Sequence, residues 1–128
     1  MYKRQHGSDA PLTPDVPAAI AAAAPLVTVI GDVILDEWWS GHIERISREA
    51  PAPIVELRER VQAPGGAANT AMNARALGAR TRLVGLVGAD AAGDALLRLL
   101  DAAGVDTTGV VRAAGVRTTT KTLSLIHI

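Results

Sequence analysis

Short apolar runs alternate with helical patterns over most of the chain. Residues 26–30 (LVTVI) form a continuous β-prone run closed by Gly31, and residues 82–87 form another, so both predict buried strands. Residues 66–77 are rich in alanine, and residues 91–103 carry a periodic set of leucines, so both predict helices. Strands that alternate with helices in this way are typical of an α/β fold with a parallel central sheet.

Weaker patterns flank these elements. Residues 17–24 predict a short helix with Asp15 as its cap. Residues 53–61 mix Ile, Leu and Val with Glu and Arg, which predicts a strand with at least one wet face, outside the main sheet. Residues 105–111 predict a further short strand, and the chain from 118 onward is β-prone.

Composition excludes several classes of function. The 128 residues include 13 basic and 13 acidic ones, so no basic surface for nucleic acid is expected. The chain has no cysteine, which excludes disulfides and thiolate sites and fits the cytoplasm. The longest apolar stretch, residues 17–30, is too short for a membrane span of about 20 residues. We expect residues 1–24 to be a variable tail, disordered to about residue 16, plus the short helix.

Two carboxylates follow the first predicted strand. Asp32 and Asp36 come directly after Gly31 and lie four residues apart. In open parallel sheets, ligands bind beyond the carboxyl ends of the strands, and a carboxylate accepts hydrogen bonds from neighbouring hydroxyls of a polyol. The residues leave an alternative open, in which Asp32 starts a turn and Asp36 caps a short helix that runs through Trp39.

A second candidate ligand site opens the helix predicted at 66–77. Gly65 and Gly66 would let a ligand approach the backbone closely. Free N–H groups at a helix start attract anions or hydroxyl oxygens, and Asn69 offers both a donor and an acceptor. We favour ligand binding here over the alternative, which is a tight loop with Asn69 as the helix cap.

Other motifs favour structural roles or exclude known sites. Asp90 stands where a helix cap is expected, and Gly85 and Gly88 would let the chain pass close to a neighbour. Residues 31–34 lack the second glycine of a dinucleotide-binding loop, and no phosphate-binding P-loop occurs. The three histidines lack metal-ligand spacing, so no metal site is expected, and the pair at 38–39 (WW) could stack on a sugar or cover a sheet edge.

Four motifs together resemble the ribokinase-like (PfkB) carbohydrate kinases. They are residues 31–36 (GDVILD), 45–53 (RISREAPAP), 64–69 (PGGAAN) and 85–90 (GLVGAD). The first two motifs are similar to the bacterial heptose 7-phosphate kinase branch, the kinase half of the ADP-heptose synthesis enzymes. The resemblance covers about residues 26–122 and implies part of a ribokinase-like α/β fold, in which helices flank a parallel central sheet and a small β-lid is attached.

The resemblance implies a sugar site at the carboxyl edge of the sheet. Asp36 matches the family's aspartate that holds sugar hydroxyls, and Asp32 lies beside it. Gly65, Gly66 and Asn69 match the family's second sugar-binding motif.

The resemblance also assigns a lid. Residues 41–62 match the small β-lid that closes over the sugar and often forms a dimer contact, which implies a homodimer in the parent protein. Arg48 stands where the branch more often has proline, and it could add a cation near a sugar phosphate. Arg45 and Lys121 are further candidate substrate or lid contacts.

The implied reaction is transfer of the ATP γ-phosphoryl group, with Mg²⁺, to the anomeric hydroxyl of a heptose 7-phosphate during lipopolysaccharide core precursor synthesis. The family's catalytic Gly-x-Gly-Asp occurs nowhere in these 128 residues, so we expect no kinase activity from this chain alone. Two alternatives stay open. One is another sugar or nucleoside kinase of the same family, and the other is a non-catalytic sugar-binding or dimerisation module.

The last six residues, 123–128 (LSLIHI), have an unusual source. They are the translation of CTG TCT CTT ATA CAC ATC, a transposase adapter used in sequencing libraries. The family usually continues after residue 122 with an arginine and more apolar residues. We therefore expect these six residues to be adapter and the kinase-like part to span residues 25–122.

Overall fold

The structure is a computed structural model that describes residues 15–49 and 51–127. Within them the chain forms two sheets and three helices. The parallel sheet has the strand order β1-β4-β5, and the mixed sheet has the order β3-β2-β6. The elements are α1 (Asp15–Ala23), β1 (Leu26–Ile30), β2 (Val33–Ile46), β3 (Pro53–Gly66), α2 (Ala67–Ala76), β4 (Arg80–Gly88), α3 (Ala91–Ala102), β5 (Asp106–Ala113) and β6 (Thr119–His127).

The parallel sheet confirms the strand–helix alternation. β1 pairs with β4 and β4 with β5, all parallel, while α2 contacts β1 and β4, and α3 contacts β5. The small side chains of α2 allow close packing, since Ala68 and Ala71 are fully buried. Leu83 of β4 and two leucines of α3, Leu96 and Leu100, complete the centre of the core.

Helix ends follow the predicted signals. Gly78, just beyond α2, has φ +96°, as expected of a glycine that ends a helix. Asp90 caps α3, because its side chain accepts a hydrogen bond from the Gly93 N–H at 2.8 Å. The exception is the helix predicted at 17–24, because α1 begins at Asp15 itself, so Asp15 is its first residue and the predicted cap is wrong. The predicted tail lies outside the described residues except for Asp15 and Val16.

The mixed sheet contains the main difference from the predictions. Residues 33–46 form one 14-residue strand, β2, so the alternative in which Asp36 caps a short helix is wrong. The burial pattern has period two, since Val33, Leu35 and Glu37 are buried while the residues between them are only half-buried. Aspartate is disfavoured in strands, and two acidic residues in a row hid this alternation.

β2 lies between two partners. It pairs antiparallel with β3 and parallel with β6, so the strand predicted at 53–61 lies outside the parallel sheet, as expected. The β-prone end of the chain joins this mixed sheet rather than the parallel one. The β2–β3 register shifts twice, between Ser40 and Gly41 and between Ile43 and Arg45. No helix of the described residues is long and apolar enough to cross a membrane.

Candidate functional site

Asp36 and Gly65 meet on one face of the mixed sheet. Gly65 of β3 pairs with Ile34, and Asp36 lies two residues further along β2, so Asp36 and Ile34 share a face. A Cβ atom placed on Gly65 would lie 2.6 Å from Asp36 Oδ2 and 2.8 Å from its Cγ. Because Gly65 has no side chain, the Asp36 carboxylate can occupy this position.

Gly66 joins the end of β3 to the start of α2 beside Asp32. Its φ of +57° is one that side chains rarely allow, and a Cβ there would lie 2.5 Å from the Asp32 carbonyl oxygen. That oxygen accepts a hydrogen bond from the Ala67 N–H at 2.9 Å. The backbone around Asp32 is thus tied to the glycine pair, and both predicted motifs come together in space.

Asn69 lies exposed in the first turn of α2. The helix cap is Gly66, and no side-chain hydrogen bond caps this end of the helix. The alternative in which Asn69 caps the helix is therefore wrong. Its amide stays available to a ligand at the same helix start as the glycine pair.

Asp32 lines a cleft of about 330 Å³ at the carboxyl end of β1, beside residues 84–86 of β4. This Asp32 cleft is also lined by Arg117 of the β5–β6 connection and by Thr119 of β6. Both of these residues are exposed, as is Asp32. A Cβ on Gly85 would lie 2.8 Å from the Gly31 carbonyl oxygen, which confirms the predicted close passage.

The three cationic candidates separate into two places. Lys121 of β6 is the register partner of Asp36 and so shares its face of the mixed sheet. Arg45 and Arg48 line a different cavity of about 350 Å³ near the β2–β3 connection, together with Glu49. Lys121 is thus adjacent to the predicted sugar carboxylate, while the two arginines line a cavity of their own.

Glu37 forms a buried polar cluster that sequence reasoning missed. Its side chain is 3% exposed and accepts hydrogen bonds from Gln62 at 2.6 Å, from Trp39 at 3.2 Å, and from Arg60, with which it forms an ion pair. Arg60 also lies over the Trp39 ring, 5.8 Å from its centroid. Burial alone would raise the pKa of Glu37, but the three donors outweigh it and lower the pKa below its ordinary range.

A second network surrounds the predicted cap Asp90. The buried Thr118 donates to Asp90 through both its hydroxyl, at 2.6 Å, and its backbone N–H, at 2.9 Å. The same hydroxyl accepts from the Gly88 N–H at 2.9 Å. A Cβ on Gly88 would lie 2.8 Å from both Asp90 Oδ2 and Thr118 N, which confirms the close approach expected at this glycine. We call Asp90, Thr118, Gly88 and Gly93 the Thr118 clamp.

These hydrogen bonds set the charge of the clamp. Donation from the Thr118 hydroxyl, then from the Thr118 and Gly93 backbone N–H groups, lowers the pKa of Asp90 from 3.8 to about 2. Asp106 of β5 shows a similar lowering to about 2, chiefly through the Thr108 side chain and backbone, so its pKa reflects local turn geometry.

Among the described residues, the tryptophans and histidines do not form a second candidate site. Trp38 and Trp39 are consecutive in β2 and so point to opposite faces, and Trp39, with Arg60 over its ring, is 38% exposed. Within residues 15–49 and 51–127, no group of three or more His, Asp or Glu is placed to hold a metal ion. The carboxylates, glycine backbone and amide brought together at the Asp36 and Gly65 junction are groups that can hydrogen-bond hydroxyls.

Curated relatives match more than half of the chain. The bifunctional protein HldE of Pseudomonas aeruginosa (strain LESB58) is 54% identical over 80 residues, which is 62% of this chain and 17% of that protein. The bifunctional protein HldE of Nitrosococcus oceani is 56% identical over 79 residues, with the same coverage. The chain therefore spans less than a fifth of the length of these relatives.

Solved structures match the fold. A ribokinase from Cryptococcus neoformans in complex with ADP aligns with TM-score 0.58 and 26% identity, covering 78% of this chain and 30% of its own. The fructokinase of Halothermothrix orenii aligns with TM-score 0.57 and 28% identity, covering 78% and 33%. A fructokinase with bound ATP from Xylella fastidiosa aligns with TM-score 0.59 and 25% identity, covering 80% and 30%.

The family model covers most of the chain. Residues 24–126 match the pfkB family carbohydrate kinase model, a range that contains every predicted sugar-binding residue and every strand except the last residue of β6. This match agrees with the resemblance of the four motifs and with the ribokinase-like fold of the solved neighbours. The chain therefore belongs to the pfkB family of carbohydrate kinases.

Proposed function

We propose that this chain is the sugar-recognition part of a kinase that transfers the ATP γ-phosphoryl group to the anomeric hydroxyl of a heptose 7-phosphate. The observation that carries the proposal is the packing of the Asp36 carboxylate against Gly65, beside the Gly66 helix start. A carboxylate fixed in this way can accept hydrogen bonds from adjacent hydroxyls while backbone amides and Asn69 contact others. Asp32 lies at the same junction, in the neighbouring cleft.

The choice of a heptose rests on the lid motif at residues 45–53 and on the relatives named bifunctional protein HldE. The product would then be a precursor of ADP-heptose for the lipopolysaccharide core, made in the cytoplasm. Solved family members that hold ADP or ATP support ATP as the phosphoryl donor of the whole protein. The catalytic carboxylate, the nucleotide site and the Mg²⁺ ligands of that protein would lie outside this chain, so the chain alone would bind sugar without phosphorylating it.

The test measures sugar binding to the 128-residue chain by NMR or calorimetry. We expect saturable binding of a heptose 7-phosphate, weakened about tenfold or more by Asp36→Asn, since hydrogen bonds to a charged group contribute about 1.5–3 kcal/mol. Asp101→Asn, which changes an exposed acid of α3, is the matched control and should bind normally. Equal binding by the Asp36 variant would contradict the proposed site, and stronger binding of ribose or fructose would favour another family kinase.

A second activity is dimerisation through the mixed sheet. Large apolar side chains are exposed on its strands, and Trp39, Val55 and Leu57 line an apolar hollow of about 290 Å³. By the strand register, Val55 and Leu57 share the face of Trp39, and all three side chains are at least 36% exposed. Apolar surface of this kind is covered in stable proteins, and a second copy of the lid would cover it. The non-catalytic module of sheet plus lid would keep this activity even without the rest of a kinase.

A further inference from the structure

Arg117 is positioned to contact a ligand bound in the Asp32 cleft. It lies exposed on the β5–β6 connection and lines the same cleft as Asp32. Among the described residues that line this cleft, Arg117 is the single Lys or Arg. A guanidinium presents five N–H donors in a planar fork, a geometry that matches a phosphate.

The other cations singled out by sequence do not line this cleft. Arg45 and Arg48 line the separate cavity near the β2–β3 connection, where Glu49 lies beside them. Lys121 shares the face of Asp36 but is absent from the cleft lining. An anionic group on a ligand in the Asp32 cleft would therefore meet Arg117 rather than any of these three residues.

The position of Arg117 is fixed from behind by its neighbour. Residues 116–118 belong to neither β5 nor β6 and so lack a strand ladder. Thr118, 7% exposed, is instead held by its two bonds to Asp90 and by the Gly88 N–H, which ties this segment to the start of α3 and the end of β4. The Thr118 clamp therefore holds the cleft wall in one place and lowers the entropy that Arg117 would lose on binding.

The charges of the cleft also define an orientation. Asp32, which follows β1, repels an anion and accepts hydroxyl hydrogens, while Arg117, on the β5–β6 connection, attracts an anion. Asp90 also attracts the Arg117 charge, but its oxygens accept their hydrogen bonds from Thr118 and Gly93. A sugar with one phosphate would thus turn its phosphate toward Arg117 and its hydroxyls toward the carboxylates.

We infer that Arg117 is a specificity residue that recognises a phosphate monoester on the sugar, and that Asp90 and Thr118 are positioning residues that hold it at the Asp32 cleft. This inference rests on the proposed sugar-binding function and adds the residue by which a phosphorylated sugar is distinguished from a neutral one.

The experiment compares two ligands on the 128-residue chain, a heptose 7-phosphate and the same heptose without phosphate. Wild type should bind the phosphorylated sugar roughly 10- to 100-fold more tightly, the range expected for a charge-assisted hydrogen bond. Arg117→Gln should remove this preference and leave the affinity for the neutral heptose unchanged, while Arg117→Lys should keep part of it. The matched control is Arg98→Gln, an exposed arginine of α3 that should keep the full preference.

The clamp is tested with the same two ligands. Thr118→Ser keeps the hydroxyl and should keep the preference, whereas Thr118→Val should reduce it several-fold without abolishing binding of the neutral heptose. The preference should also shrink as salt is added, since Arg117 is exposed. A merely structural Thr118 would change stability while leaving the ratio of the two affinities unchanged.

The outcomes separate the inference from the proposed function. Equal affinity of wild type for the two ligands, or a preference that survives Arg117→Gln, would overturn the role of Arg117 while the sugar site stands. Binding of neither ligand by folded wild type would remove the sugar site and the role of Arg117 together.

Discussion

The carboxylate of Asp36 occupies the space that a side chain at Gly65 would take, with Oδ2 2.6 Å from where a Cβ would be. The two residues are on different strands, β2 and β3, and one sequence motif supplies each of them. Their contact is what turns two separate motifs into one candidate site. It also means that the site can be damaged from the glycine side without touching the carboxylate.

Gly65→Ala should therefore weaken sugar binding more than it weakens the fold. The added methyl group forces the Asp36 carboxylate to rotate away, and the hydrogen bonds of that charged group are worth about 1.5–3 kcal/mol in affinity. We expect at least a tenfold loss of heptose 7-phosphate binding by calorimetry, with a change in unfolding free energy of about 1 kcal/mol or less in urea.

Gly115→Ala provides the contrasting control. Gly115 has φ +77° with no atom within 4 Å of the added Cβ, so the change strains the backbone by about 1–2 kcal/mol without a clash. It should lower stability and leave sugar affinity at the wild-type value. The reverse pattern, with Gly65→Ala binding normally, would show that the carboxylate does not contact the sugar.

Thr118→Val should destabilise the chain through a backbone group. The change removes the hydroxyl that accepts the Gly88 N–H at 2.9 Å, and a buried N–H without an acceptor costs about 1–3 kcal/mol. Urea unfolding followed by circular dichroism should show this loss, and Thr118→Ser should recover most of it. Equal stability of the valine variant and wild type would mean that water replaces the hydroxyl.

The clamp should also give the protein an acid-sensitive range. The pKa of Asp90 is lowered from 3.8 to about 2, so its contribution to stability is present above the unfolded pKa and is lost as pH falls toward about 2. Urea midpoints measured from about pH 6 to about pH 2 should fall more steeply for wild type than for Asp90→Asn. Asp106, with a similarly lowered pKa, titrates in both proteins and so cancels from the comparison.

Removing the cation of the Glu37 cluster should destabilise the mixed sheet. Arg60→Met keeps the length of the side chain but leaves Glu37, 3% exposed, with donors only from Gln62 and Trp39. We expect a loss of about 1.5–3 kcal/mol in unfolding free energy, the range for hydrogen bonds to a charged group. Because Arg60 lowers the pKa of Glu37, the loss should be full at neutral pH and should shrink as Glu37 is protonated in acid. Adding Glu37→Gln to Arg60→Met should restore part of the stability, and an additive effect would contradict the coupling.

The apolar face of the mixed sheet predicts self-association. Leu57→Glu places a charge on a side chain that is 49% exposed within the apolar hollow, and it should shift the chain toward monomer in sedimentation velocity. Leu77→Glu changes a leucine of similar exposure, 53%, just after α2, and it should leave the assembly unchanged. A wild-type chain that is monomeric at high concentration would contradict the dimer.

Sequence patterns predicted the elements whose periodicity is uniform. The continuous apolar run at 26–30 indicated a strand, and the repeating leucines of α3 indicated a helix. Both elements formed within a residue or two of the expected bounds. β2 was missed because its alternation runs through two adjacent acidic residues and is interrupted by two register shifts. No local pattern could show that Asp36 would face Gly65 across a sheet.

Sequence patterns also failed to predict hydrogen bonds between residues that are far apart in the chain. Asp90 was predicted as a cap from its place before α3, but its stronger bonds come from Thr118, 28 residues later. Glu37 carries no signal by itself, because the arginine and glutamine that stabilise it belong to β3, more than twenty residues away. The strand order brings these pairs together, and a single sequence does not state that order.

β2 carries two consecutive carboxylates that face opposite sides of the mixed sheet. If β2 slipped by one residue so that Glu37 took the place of Asp36, Glu37 would lie on the face of Gly65. Asp36 would then enter the interior, where it would lack the hydrogen-bond donors that surround Glu37 in the native register. The two carboxylates together therefore disfavour this misaligned pairing of β2. The acidic pair that concealed the strand from sequence reasoning is, in the folded chain, what makes its alignment unambiguous.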